Sequence, residues 1–431
     1  MSPTFPFAPR RAAFIFVFIT VLLDVFAIGI IIPVLPRLVE DFMGGNTASA
    51  AVVYGIFGTA WALMQFLFSP VLGSLSDRFG RRPIILLSNF GLGLDYVLMA
   101  LAPNLGWLFV GRIISGITAA SISTAGAYIA DVTEPHLRAG RFGMLGAAFG
   151  VGFIAGPALG GVLGEIDPRL PFWVAAGFSL TNAMYGLTVL PESLPRDRRT
   201  PFSWRKANPV GSFKLLRSRH ELWGLAWVAF LSNLAHVALP SISVLYMGYR
   251  YGWNVRSVGV LLGIVGVCSI IVQGVLVGRV VKYLGERRTM LVGLIAGAIG
   301  FVIQAIATTG AVYTFGIIVM SLWGLATPAL QGLMTRLVGA GEQGQLQGAN
   351  SSIMGIANLI GPIVFTQIFA LFIAHREWRV PGAPFFLSAA LLVIAAMLTV
   401  RYARKYAMAA QAAPVAPAEQ GAAQEARSGS Q

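Results

Sequence analysis

Two carboxylates stand where the sequence surrounds them with apolar residues. Asp24 lies inside the run 12–34 and Asp95 inside the run 84–102, and they are the two acids placed within such runs rather than at their edges. With the first helix starting near residue 12, Asp24 falls roughly 18 Å along it, near the middle of a bilayer. Asp95 reaches a similar depth, about eleven residues from the basic end of its own helix. A carboxylate at that depth costs about 2.5–3.5 kcal/mol, so each should face a cavity or a partner. The chemistry open to them is proton uptake and release, or attraction of a cationic cargo. A hydrogen-bonded structural role is the plainer alternative. Gln65, beside Trp61 in the run 48–72, either bonds a ligand or locks helices together. Arg112, in the run 107–130, either snorkels to the membrane edge or is held inside by a carboxylate or carbonyl partner. Gly111 and Gly116 around it favour close helix packing.

The elements that must position these groups follow from composition. The 431 residues are 56% hydrophobic and 11% charged, against about 25% charged in soluble domains. Runs long enough to span a bilayer occur at 12–34, 48–72, 84–102, 107–130, 139–164, 170–190, 220–246, 255–281, 289–308, 312–335, 344–373 and 382–402. The expected fold is therefore an all-α membrane protein of twelve transmembrane helices. The first run lacks a small-residue cleavage pattern and is read as a retained span. Net charge is +14, but its distribution points to topology rather than to nucleic acid. Alternating the loops places 24 Lys/Arg on the face with both termini and six on the other, so both termini are expected in the cytoplasm. Cys268 is alone and the four His are scattered, which leaves no disulfide and no metal-ligand spacing. No nucleotide-binding loop or nucleophile–base constellation suggests an enzyme, and no cofactor is expected.

Between the second and third runs lies a short charged strip, Gly73-Ser-Leu-Ser-Asp77-Arg78-Phe-Gly80-Arg81-Arg82. An offset of 205 residues carries Gly73 and Gly80 onto Gly278 and Gly285, Gly143 onto Gly348, and Gly156-Pro157 onto Gly361-Pro362. Such a repeat is the mark of a duplicated six-helix half. The expected organisation is a bundle at 1–190, a Pro-rich basic linker at 191–219, a second bundle at 220–405 and a disordered tail at 406–431. The same offset carries Asp77 onto Lys282, Arg81 onto Glu286 and Asp131 onto Arg336. Each half thus holds a three-charge set whose middle member opposes the other two. These sets are expected to pair internally and to act as cytoplasmic latches, with static surface pairs as the alternative. Asp77 would also suit the positive N-terminus of a helix on that face, such as the eleventh. In the fifth run Gly152, Gly156-Pro157, Gly160 and Gly161 line a helix that can pack closely and bend, as a fixed seam or as a pliable gate.

The strip at Gly73–Arg82, the Arg112…Gly116 pair and Gly152-x-x-x-Gly156-Pro157-x-x-Gly160-Gly161 resemble, in turn, the loop 2–3, fourth-span and antiporter motifs of the major facilitator superfamily. Leu23-Asp24, Ala62-Leu-Met-Gln65, Leu94-Asp95-Tyr96, Ala130-Asp131 and Gln343-Gly-Gln-Leu-Gln347-Gly348 resemble its tetracycline efflux branch. The resemblance covers about 10–405 and implies two pseudo-symmetric six-helix bundles. It assigns Asp24, Asp95 and Gln65 to coupling and substrate, and Asp77 and Arg81 to the gate. Two positions depart from that branch: Gly297 stands in place of an Asp in the ninth span, and Ser269, ahead of Gln273, in place of a His in the eighth. Either Asp24 and Asp95 carry all proton coupling, helped by His236, or the cargo differs.

The expectation is a monomeric inner-membrane antiporter that exports a small amphiphilic compound in exchange for protons by alternating access. A proton-coupled importer of a metabolite, or a receptor on a transporter fold, would share most of these features. Vesicle orientation separates the first two, and neutralising both acids separates the third.

Overall fold

The computed structural model describes residues 10–412, apart from 120, 135–137, 203–212, 218, 339–341 and 379. Among the described residues there is no strand. The first half runs α1 (Arg10–Ile31), α2 (Leu35–Phe42), α3 (Thr47–Phe79), α4 (Arg81–Leu101), α5 (Leu105–Thr118), α6 (Ser121–Val132), α7 (Arg138–Ile166) and α8 (Leu170–Val189). A short α9 (Phe213–Arg217) precedes the second half. That half comprises α10 (His220–Tyr251), α11 (Val255–Ile271), α12 (Val277–Ile306), α13 (Gly310–Ser321), α14 (Ala326–Arg336), α15 (Gln343–Ala374) and α16 (Ala383–Ala412).

Each of the twelve predicted spans falls on helix. Among the described residues nine stretches are long and apolar enough to cross a membrane, and one of them, Val255–Ile306, is 52 residues long and holds two predicted spans. The fourth span is divided between α5 and α6 and the sixth, α8, is less apolar, so neither is among the nine. The first span bends between α1 and α2, where Pro33 cannot donate to the helix ladder. A π-turn at Val272–Leu276 joins α11 to α12. α16 extends to Ala412, past the expected 405 boundary, and residues 413–431 of the expected tail lie outside the described residues.

The 205-residue repeat is written into the backbone. Gly80 and Gly285 take φ of 109° and 74°, a left-handed region that favours glycine, and each turns one helix of a hairpin into the next. Asn104 and Thr309, also 205 apart, both cap a helix, accepting from Trp107 N and Val312 N. Asn46 and Asn254 do the same for α3 and α11.

Across the halves α3 packs along α15 and α7 along α11. Small residues permit this approach. A Cβ on Gly259 would fall 2.6 Å from the Pro157 carbonyl, and one on Gly58 would fall 3.0 Å from Pro362. Polar contacts join the halves at the end opposite the basic loops. Arg37 donates to the Trp253 carbonyl and Tyr54 to the Pro240 carbonyl, while Glu165 meets Asn254 and Arg256.

Candidate functional site

A cavity of about 360 Å³ lies between the halves. Its wall is mainly apolar. The side chains with polar groups on it are Tyr54, Trp61, Gln65, Tyr96, Arg112 and Ser115 from the first half, and Ser241 and Asn358 from the second. Gln65 and Arg112 thus both line the cavity. Asp24 and Asp95 differ: at 1% and 0% exposed, they sit one layer behind the wall rather than on it. Their neighbours in sequence, Val25 and Tyr96, line the cavity in their place.

Helix packing explains the arrangement. Gly111 lets α5 close on α4, and a Cβ there would fall 2.7 Å from Asp95 Oδ1 and 2.8 Å from Met99. Gly116 lets the same helix close on α3, against the Trp61 carbonyl. Arg112, held between them, lies 3.5 Å from Asp95 Oδ2 and 3.3 Å from Met99 Sδ, with Ser115 Oγ also at 3.5 Å. It does not snorkel; it bridges the buried carboxylate to the cavity. Asp24, Asp95 and Arg112 are all electrostatic neighbours of the Tyr96 hydroxyl, so two helices deliver both acids to one place.

His236 does not join them. It stands in the second half with its ring 5.6 Å from that of Trp323. Trp323 also accounts for the missing ninth-span acid. A Cβ on Gly297 would lie 2.9 Å from Trp323 Cγ and 2.8 Å from Leu392, so the indole fills the space an Asp would need. The indole N–H donates to Ser232 Oγ at 3.1 Å.

At the basic end Arg81 pairs with both Asp77 and Asp131, the latter at 3.1 Å, and donates to Ser76 Oγ at 2.7 Å. In the second half Glu286 pairs with Arg336 at 2.9 Å, but Lys282 is exposed and forms no ion pair among the described residues. The first set therefore closes on itself and the second only in part. Lys282 sits on the last turn before Gly285, where its long side chain reaches water rather than Glu286. Asp77 is turned to Arg81 and to solvent, its side chain 42% exposed. Arg82 donates to the Leu187 carbonyl, whereas Arg78 lies over the ring of its neighbour Phe79. The Gly73 carbonyl accepts from Ser76 Oγ.

Residues read only as linker join this set of bonds. Glu192 accepts from the Arg81 backbone N–H at 2.8 Å and lies against Gly80, while Ser193 donates to Asp131 at 3.1 Å. The acid in Pro191-Glu-Ser was visible in the sequence, but nothing local tied it to a loop 111 residues away.

The glycine row of α7 divides between two partners. Gly152, Gly156 and Gly160 meet Val25, Gly29 and Ile30 of α1, whereas Gly161 meets Val255 and Gly259 of the other half. Pro157 lies within the continuous helix. One face thus forms a seam inside the first half and the next forms part of the boundary between halves.

Comparison with known proteins identifies the family. The chain is 38% identical over 375 residues to the class C tetracycline resistance protein of Escherichia coli, covering 87% of this chain and 93% of that protein. It is 35% identical over 349 residues to the class B protein of Escherichia coli, covering 81% and 86%. The crystal structure of the human organic anion transporter MFSD10 superposes with a TM-score of 0.68 at 24% identity, over 91% of this chain and 100% of that one. The family model described as the Major Facilitator Superfamily matches residues 17–362 and 237–427. With its all-helical repeat, its paired loops and the cavity between its halves, this multi-pass membrane protein belongs to the Major Facilitator Superfamily.

Proposed function

We propose that this protein is a proton-coupled antiporter that exports a small amphiphilic drug-like compound, with tetracycline or a cationic or metal-chelated relative as the first cargo to test. The observation that carries the reading is the buried Asp95–Arg112 pair behind a cavity to which both halves contribute. Arg112 is shared between the hidden acid and the cargo space. When Asp95 is ionised it holds Arg112; when Asp95 takes a proton, Arg112 is released toward the cavity and the wall met by the cargo gains an uncompensated positive charge. Asp24, beside the same Tyr96 hydroxyl, supplies a second protonatable group. The halves then rock about the cavity, with the Asp77–Arg81–Asp131 set and its Glu192 and Ser193 partners steadying the cytoplasmic end. The proton gradient is the driving force and no cofactor takes part. The chain works as a monomer in the bacterial inner membrane, with both termini in the cytoplasm as the basic loops require.

The test is resistance in a pump-deficient bacterial host. Wild type should raise tolerance of tetracycline, and Asp24→Asn or Asp95→Asn should abolish the effect while membrane levels of the protein stay unchanged. Uptake into inverted vesicles driven by an imposed pH gradient fixes the direction. Full resistance from both variants overturns the proton-coupling reading.

A further inference from the structure

The first half contains buried polar side chains that the cavity does not use. Ser88 and Asn89 on α4, Thr124 on α6, and Ser179 and Asn182 on α8 are each no more than 2% exposed. Both side-chain polar atoms of Asn89, the hydroxyls of Ser88, Thr124 and Ser179, and Asn182 Oδ1 are buried without a hydrogen-bond partner. An orphaned polar atom in a bilayer-embedded bundle costs free energy comparable to a lost hydrogen bond, and five residues in one bundle compound that cost.

They also share a place. Asn182 Nδ2 donates to the Thr20 carbonyl at 2.8 Å, which sets the register of α8 against α1. One turn further along each helix the same register brings Ser179 to the level of Asp24. Leu180 lies against Gly93 and Leu86 against Gly186, which sets Asn182 within about one residue of the level of Asn89. Thr118 lies against Gly91, and Ile85 clusters with Tyr128 and Ile129, which places Thr124 level with Ser88 and Asn89. Ser88 stands two helical turns from Asp95 on the same face of α4. The polar atoms therefore form a column inside one bundle, from the two acids toward the basic end. Below it Tyr128, in one apolar cluster with Ile85, Ile129 and Leu190, donates to the Pro191 carbonyl at 2.9 Å. Pro191 is two residues from Ser193, the partner of Asp131.

We infer that this column binds ordered water and is the route by which protons pass between the Asp24–Asp95 cluster and the cytoplasmic edge, separate from the path of the cargo. Buried waters take two to four polar partners, and the amides and hydroxyls of this column supply them. A proton leaving either carboxyl passes along the waters and leaves a carboxylate behind. The Asn, Ser and Thr side chains only hydrogen-bond the waters, so they neither gain nor lose a proton. The inference rests on the proton-antiport reading.

Proteoliposomes with radiolabelled tetracycline test it through two readouts. Uptake driven by an imposed pH gradient needs the proton route; counterflow against internal unlabelled tetracycline needs only cargo movement. Asn89→Val should lower gradient-driven uptake roughly a hundredfold or more, the scale of losing a positioned proton-transfer element, and leave counterflow within about twofold. Asn89→Ser, which restores a hydroxyl, should recover most of the driven uptake. If Asn89→Val does not reach the membrane, Thr124→Val combined with Ser179→Ala removes two hydroxyls with little change of shape and carries the same expectation. Driven uptake at the wild-type level in the valine variant, or an equal loss of both readouts, overturns the column while the antiport reading survives. No gradient-driven uptake by wild type sinks the antiport reading itself, and the column with it.

Discussion

Gly297 faces the Trp323 ring so closely that any side chain there would have to displace it. The acid that the related branch carries at this point could not simply be restored. Gly297→Asp should destabilise the protein by about 2.5–3.5 kcal/mol from the unpaired buried charge alone, before the clash is counted. Trp323→Ala removes the indole's part of that clash but costs about 3–5 kcal/mol by itself as a large-to-small core change, and Leu392 stays 2.8 Å from the added Cβ. A double-mutant cycle by thermal unfolding in detergent should therefore show the two changes costing less together than the sum of their separate costs. If the single variant matches wild type, the space is not filled as described. Asp95 shows the complementary case at the same scale. Among the described residues it pairs with Arg112, and that residue rather than the acid meets the cavity, so the acid can be far from water and still respond to cargo.

At the scale of elements, the α1–α7 seam decides how closely the first span can be held. Gly156 meets Gly29 with a Cβ-to-Cα separation of 2.8 Å, a contact backbone atoms cannot relieve by changing rotamer. Gly156→Ala should therefore cost about 1–3 kcal/mol through overpacking. It should also lower transport more than Gly177→Ala, where an added Cβ meets nothing within 4 Å. Equal effects of the two on melting temperature would count against the seam. The latch differs in kind. It is a set of side-chain bonds gathered on Arg81, and it draws in Glu192 from a segment that composition alone marks as linker.

At the scale of the whole molecule, polar contacts join the halves away from the basic loops. The Glu165–Arg256 pair is exposed, with side chains 43% and 65% accessible, and such pairs contribute about 0–1 kcal/mol. Arg37 is better shielded; it pairs with the buried Glu40 at 2.6 Å while donating across the boundary to Trp253. A hydrogen bond from a charged donor contributes about 1.5–3 kcal/mol. Arg37→Ala should shift the protein further toward conformers open at that end than Glu165→Gln does. A single cysteine at Ser241, with Cys268→Ser as background, reports the shift through its labelling rate by an impermeant thiol reagent added on that side. The reverse order of effects would show that Arg37 holds only its own half.

Local chemistry was enough to place the twelve apolar runs, the 205-residue repeat and the two carboxylates, because hydropathy, glycine spacing and the rarity of charge in a bilayer are all properties of neighbouring residues. The repeat proved real down to φ at Gly80 and Gly285 and the caps at Asn104 and Thr309. Tertiary packing alone settled which face each acid presents. Asp24 and Asp95 share a depth in the sequence, but only the closing of α5 on α4 through Gly111 puts Arg112 between Asp95 and the cavity. The same holds for Glu192 on Gly80, Trp323 over Gly297, and the unequal pairing of Arg81 and Lys282. Each depends on residues far apart in the chain meeting at distances of a few ångströms, and periodicity along one helix carries no record of its neighbour's side chains.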